Sequence, residues 1–224
     1  RIELDTSAFL DPAQGNKIGV GSSAALTVAL LSALTADGNV LADALAAHRQ
    51  LQDGAGSGVD IATSVHGGLI EYRMDDARVT ALDWPQGLCY RIVWSGIAAD
   101  TRAKLGRLER ATRAPSRAAL VQAATEMASA WTSAAAVLGS YPSYIERLRE
   151  FSVDHDLGIF DAGHEQLSHE AAAAGLVYKP CGAGGGDVGI LLGASDAQLE
   201  DFMSSRAADL AIEFDPVGVT LEQH

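Results

Sequence analysis

Ile18-Gly19-Val20-Gly21-Ser22-Ser23-Ala24-Ala25-Leu26 runs a glycine- and serine-rich turn straight into an apolar helix. Glycines let a backbone fold tightly and come close to a ligand, and serines cap helices. The unpaired N–H groups of a first helical turn, with the positive end of the helix dipole, then face whatever occupies the turn. A phosphate is the natural guest. The Gly-Lys-Ser/Thr ending of a Walker A loop is absent. Taken alone, the stretch reads equally well as an anion site and as a well-capped helix.

Composition narrows the setting. The chain has 224 residues and 48% hydrophobic content, enough for one large domain or two small ones with a sizeable core. Twenty-three glycines against six prolines indicate tight turns rather than disorder. A net charge of −13 argues against a general nucleic-acid surface, so a phosphate site must be built locally from backbone N–H groups, a few cations and a metal. Cys89 and Cys181 are far apart and lack metal-ligand spacing, which disfavours a disulfide scaffold. The longest apolar stretch, residues 24–36, is broken by threonine and serine and is too short to span a membrane. No signal-peptide pattern opens the chain, and the protein reads as soluble and cytoplasmic.

The pattern predicts a strand over residues 1–10 and helices over 24–34 and 40–51. It predicts a short helix over 59–65 and a strand over 69–74. A boundary between two lobes is placed near Asp83-Trp84-Pro85, giving domains of residues 1–84 and 85–224. Residues 88–94 read as a strand with Leu88, Tyr90, Ile92 and Trp94 on one face and Cys89, Arg91 and Val93 on the other. Helices follow at 100–113, 116–138, 142–153, 161–175 and 196–206, with strands at 176–179, 188–192 and 209–214. Mixed strands and long helices give an α+β, two-lobe architecture.

Two more glycine-rich segments follow the opening one. They are Gly54-Ala55-Gly56-Ser57-Gly58-Val59-Asp60-Ile61-Ala62, trailed by Gly67-Gly68, and Lys179-Pro180-Cys181-Gly182-Ala183-Gly184-Gly185-Gly186-Asp187-Val188-Gly189. In this order the three segments resemble the motif set of the GHMP kinases. Leu4-Asp5-Thr6-Ser7-Ala8-Phe9, the Ala47-His48-Arg49-Gln50-Leu51-Gln52 lead-in and the triple-glycine-Asp ending look most like the phosphomevalonate kinase branch. The resemblance covers nearly the whole chain. It implies a ribosomal protein S5 domain 2-like N-terminal lobe, incomplete here, and a ferredoxin-like C-terminal lobe. It also implies that the chain is the carboxy-terminal two-thirds of such a kinase, without the first motif and its lysine.

The resemblance implies an ATP- and Mg²⁺-dependent phosphotransferase acting on a small phosphorylated acid or alcohol, with neither nucleic acid nor membrane as partner. Phosphoryl transfer to 5-phosphomevalonate in isoprenoid synthesis is the leading expectation. Mevalonate kinase or another GHMP kinase is the alternative, and a truncated or non-catalytic nucleotide-binding relative is the alternative of another class. Gly19, Gly21, Ser22, Ser23 and Ala24 would cradle the nucleotide phosphates, with Ser22 or Ser23 as a metal ligand. Asp60 aligns with the catalytic aspartate. Ser57, Gly58, Lys179, Gly182, Ala183, Gly184 and Gly185 would contact the acceptor, while Asp187 ties its own loop.

Arg102, Lys104, Arg107, Arg110 and Arg113 form a cationic run, with Arg102, Arg110 and Arg113 within an arc of about 80° on a helix. They read as a solvated helix face or as a face toward an anionic substrate, with Arg102 the best single candidate. His48, His66, His164 and His169 show no metal-like pairing and read as structural or surface residues. Trp84, Trp94 and Trp131 read as core. Several mevalonate-type members carry a glutamate metal ligand eleven residues before the aspartate; Arg49 stands there in this chain.

Overall fold

A computed structural model describes residues 3–11, 15–35, 39–51, 56–99, 104, 106–107, 115–204, 206, 209–210, 212 and 214–220. These residues separate into two compact units. One holds the described residues up to Gly15, those of Val20–Asp83 and those from Phe214 on. The other holds Asn16–Gly19 and those from Trp84 to Ile212.

The described residues of the first unit form three α-helices, a hairpin and a short 3₁₀ turn. Helix α1 (Ser22–Leu34) buries Ala24, Val28 and Ser32, one residue every four, along a single stripe. Helix α2 (Val40–Leu51) turns Ala44, Leu45 and His48 inward. Helix α3 (Val59–His66) adds Ile61 and Ala62. Ala24, Val28, Ala44, Leu45 and Ile61 make one core cluster, with Val65 and Val219 packed against it. Strands β1 (Leu69–Arg73) and β2 (Arg78–Leu82) pair antiparallel from Leu69↔Leu82 to Arg73↔Arg78. The strand expected over residues 1–10 is not formed in the described part. Asp5 Oδ1 accepts from Ser7 N–H at 2.9 Å, and the chain makes a 3₁₀ turn at Ser7–Phe9 instead. A short acidic side chain that bonds the backbone two residues on competes with extended structure.

The second unit centres on a four-stranded antiparallel sheet in the order β4-β5-β3-β6. Its strands are β3 (Cys89–Trp94), β4 (Val177–Pro180), β5 (Val188–Gly193) and β6 (Asp209–Leu210). Helix α4 (Pro115–Ser129), α5 (Ala134–Asp154) and α6 (His164–Ala173) lie between β3 and β4, and α7 (Asp196–Met203) lies between β5 and β6. Read as β-α-β-β-α-β, this is the ferredoxin-like order.

Alternation assigns the sheet faces. Leu88, Val177 and Leu192 join Val137, Tyr141 and Ile145 of α5 in one core cluster. Val93, Tyr178 and Leu191 join Ala171 of α6 and Leu199 and Phe202 of α7 in another. The two faces of β3 are those that its alternation predicts. Trp84 and Trp131 are half-buried against the first of these clusters, their rings 5.5 Å apart edge to face.

The predicted helices 116–138 and 142–153 need correction. The break lies at Ala130–Ser133, and α5 runs through Pro142 as one helix of 21 residues. Ser133 starts it by accepting from Ala136 N–H at 3.2 Å. Five buried residues from Val137 to Phe151 form a stripe that holds the proline inside; burial of such side chains stabilises by about 1.5–3 kcal/mol each.

Candidate functional site

The turn before α1 is shaped by its glycines. Gly21 is the N-cap, at φ +83°, a left-handed conformation that glycine adopts without strain, and nothing lies within 4 Å of where its Cβ would be. This corrects the expectation that serine caps α1: Ser22 and Ser23 are its first two residues, and no side chain bonds the cap. Their hydroxyls have no hydrogen-bond partner among the described residues. The first helical bond runs from Ala25 N–H to Gly21 O at 3.1 Å. The amides of Ser22, Ser23 and Ala24 are therefore the unspent donors of the helix start. Ala24 offers only its amide, since its methyl group is fully buried.

Asp60 is the second residue of α3, after Gly58 at φ +76° as N-cap. Ser57 Oγ accepts from Val59 N–H at 3.3 Å, which closes the turn. Asp60 Oδ1 accepts from Ile61 N–H at 2.9 Å, and Oδ2 lies 3.6 Å from His48 Nε2. His48 is only 3% exposed, and its Nδ1 is buried without a partner. Sequence reasoning missed this neighbour. His48 follows Ala44 by four residues and Leu45 by three, so helical spacing places it on the buried stripe of α2. The approach to Asp60 across two helices leaves no local signature.

In the second unit the loop from Cys181 to Asp187 joins β4 to β5. Its first amide donates to Val188 O at 2.9 Å, and Gly184 N–H donates to Cys181 O at 3.1 Å. Gly185 N–H reaches Ile159 O at 2.7 Å and Asp187 N–H reaches Ile97 O at 2.6 Å. The amides of Gly184 and Gly185 are thus spent inside the protein. Those of Gly182 and Ala183 have no partner among the described residues and are the donors the loop can offer a ligand. Asp187 Oδ1 accepts from Ala99 N–H at 3.0 Å, a structural tie. A Cβ on Gly19 would overlap the Asp187 carboxyl, so only glycine permits this approach. Burial pushes the Cys181 thiol above its usual range, away from the reactive thiolate.

The cations are used internally where they are described. Lys104 Nζ donates to Gly158 O at 2.9 Å and to Gly184 O at 2.8 Å, so Lys104 is neither a solvated residue nor a free anion contact. Arg107 donates to Asp156 O at 2.5 Å. Lys179 Nζ donates to Pro180 O at 2.6 Å and lies 6.0 Å from the centre of the Tyr144 ring. Arg102, Arg110 and Arg113 lie outside the described residues.

No family model matches the chain. The chain is 32% identical over 216 residues to the phosphomevalonate kinase of Streptomyces sp. (strain CL190). The match covers 80% of this chain and 58% of that protein. A solved Listeria innocua protein superposes with a TM-score of 0.80 at 20% identity, over 92% of this chain and 69% of its own. Streptococcus pneumoniae phosphomevalonate kinase, solved with phosphomevalonate and AMPPNP, gives 0.71 at 16% identity, over 86% of this chain and 66% of its own. The chain is thus similar in sequence to a phosphomevalonate kinase and shares the fold of the solved phosphomevalonate kinases. It spans somewhat more than half the length of the Streptomyces relative. The ferredoxin-like order of the second unit is the C-terminal-lobe order that the GHMP kinase resemblance implies.

Proposed function

We propose that the chain is the greater part of an ATP-dependent kinase that transfers the γ-phosphoryl group to 5-phosphomevalonate in the mevalonate pathway. The observation that carries this reading is the 32% identity to a phosphomevalonate kinase. The structural likeness to a kinase solved with phosphomevalonate and an ATP analogue supports it. The cytoplasm is the proposed location.

In this reading the unspent amides of Ser22, Ser23 and Ala24, with the dipole of α1 behind them, bind the nucleotide phosphates. The hydroxyl of Ser22 or Ser23 holds Mg²⁺. No group of three or more His, Cys, Asp or Glu side chains able to hold a metal occurs among the described residues. An ion held by that hydroxyl would complete its shell with phosphate oxygens and water, ligands that suit magnesium. When bound, it neutralises charge on the phosphates being transferred.

The acceptor's phosphate has a second pKa near ~6, so its nucleophilic oxygen is already ionised at neutral pH and needs no strong base. Asp60 orients the acceptor, with Oδ1 held by Ile61 N–H and Oδ2 beside His48. In the second unit the free amides of Gly182 and Ala183 are the donors available to an anionic group of a ligand.

A coupled assay of ADP release tests the assignment. The expected result is rapid turnover with 5-phosphomevalonate and less than about a tenth of that rate with mevalonate. The reverse order would make the protein a mevalonate kinase. ATP binding without ADP release on either acceptor would mark a non-catalytic relative. Asp60→Ala is expected to lower kcat by about 10²-fold or more with the fold intact by circular dichroism; near-normal turnover would remove Asp60 from the mechanism.

A further inference from the structure

The third glycine loop is held from beneath by a buried line of hydrogen bonds that no motif announces. Tyr178 Oη lies 2.7 Å from His164 Nδ1, and His164 Nε2 lies 3.0 Å from Gly186 O. His164 is 1% exposed and Tyr178 2%. The carbonyl can only accept, so Nε2 carries the proton. In a neutral imidazole Nδ1 is then the acceptor, and the Tyr178 hydroxyl must donate to it. A backbone carbonyl thereby sets the polarity of the whole line. Gly189 provides the room, since a Cβ there would overlap the Tyr178 hydroxyl.

The peptide unit between Gly186 and Asp187 is consumed on both sides. Its carbonyl is on His164, and its N–H is on Ile97 O at 2.6 Å. Gly186 sits at φ +153°, and a Cβ there would crowd the backbone of residues 97–99. Lys104 holds the neighbouring carbonyl of Gly184 at 2.8 Å. A carbonyl free to swing toward a bound anion would repel it, because its oxygen is the negative end of the peptide dipole. Donors that hold the carbonyls of Gly184 and Gly186 inside the protein remove that alternative.

We propose that the Tyr178–His164 pair is the positioning device of the 181–187 loop, holding the Gly186 carbonyl inward so that the loop is preformed for a phosphate-bearing ligand. The ligand class rests on the kinase reading above; the positioning itself does not.

Amide hydrogen exchange on the whole chain tests the positioning directly. His164→Leu is expected to speed exchange at Gly185 and Asp187 by about tenfold or more, with Ile92 of β3 unchanged. His164→Gln keeps an amide donor near the place of Nε2 and is expected to bring those rates back to within about threefold of the parent. Tyr178→Phe removes one oxygen from the line and is expected to speed both amides by about threefold or more, which keeps the test open if His164→Leu does not fold. Unchanged exchange in His164→Leu or Tyr178→Phe would overturn the proposal, as would a Gln variant no better than Leu. In the phosphoryl-transfer assay the Leu and Phe variants are expected to raise the acceptor KM about fivefold or more, with a smaller change in kcat. Faster exchange with an unaltered KM would uphold the positioning device and sink the phosphate-loop reading instead.

Discussion

His164 titrates in surroundings that oppose its charged form. Burial pushes its pKa below the ordinary value of 6.5, and the Lys104 and Lys179 ammonium groups push the same way. The bond to Gly186 and the Asp187 carboxylate pull it back up by less, and Tyr178 faces its other nitrogen. Between pH 6.5 and the depressed folded value, the unfolded chain binds more protons than the folded one. The stability contributed by neutral His164 is therefore whole above about pH 6.5 and is lost as pH falls through the folded value. Urea midpoints measured at about pH 7.5 and about pH 5.5 should fall in the parent and fall less in His164→Gln. An equal fall in both would show that His164 does not carry the dependence. At this scale Asp60 was legible because a carboxylate after Gly-Ser-Gly-Val is a local pattern. His48 and Tyr178 were not, since each meets its partner only where packing brings two successive elements together.

Helix α5 shows how far local rules reach. Pro142 lacks an N–H and clashes with the preceding turn, so local reasoning ends a helix before it. The structure keeps it inside a 21-residue helix because Val137, Tyr141, Ile145, Leu148 and Phe151 bury a continuous stripe on both sides of it. Pro142 itself is exposed. Pro142→Ala is therefore expected to raise stability by about 1 kcal/mol or more, short of the ~3 kcal/mol cost of a fully unaccommodated helical proline. Chemical denaturation checks this; a variant no more stable than the parent would mean the helix has already relaxed around the ring. Alternation marked β3 of the second unit, but the order of the four strands was not readable, because pairing joins β3 to β5 and β6 across long stretches of chain.

At the scale of the whole molecule, the chain's last described segment returns to the first unit. Gly68 N–H donates to Asp215 O at 2.6 Å, and Val219 N–H donates to Ser64 O at 3.0 Å. A Cβ on Gly218 would overlap the backbone of Val65. Sequence reading gave the first lobe residues 1–84 and no later part. Deleting residues 214–224 is expected to speed amide exchange at Gly68 and through α3 by about tenfold, with Leu191 of β5 unaffected. Uniform loss of protection in both units would show that they unfold as one body.

The sequence by itself determined which segments offer backbone donors to an anion, the α+β class, and the two faces of β3. Those features depend on glycine and serine placement and on period-two or period-3.6 spacing, all local properties. Tertiary structure alone decided which donors remain unspent. Ile159 and Ile97 consume the amides of Gly185 and Asp187, Lys104 consumes the carbonyl of Gly184, and His164 consumes that of Gly186. A hydrogen bond between distant residues depends on where packing brings two backbones together, and no short stretch of sequence records that meeting.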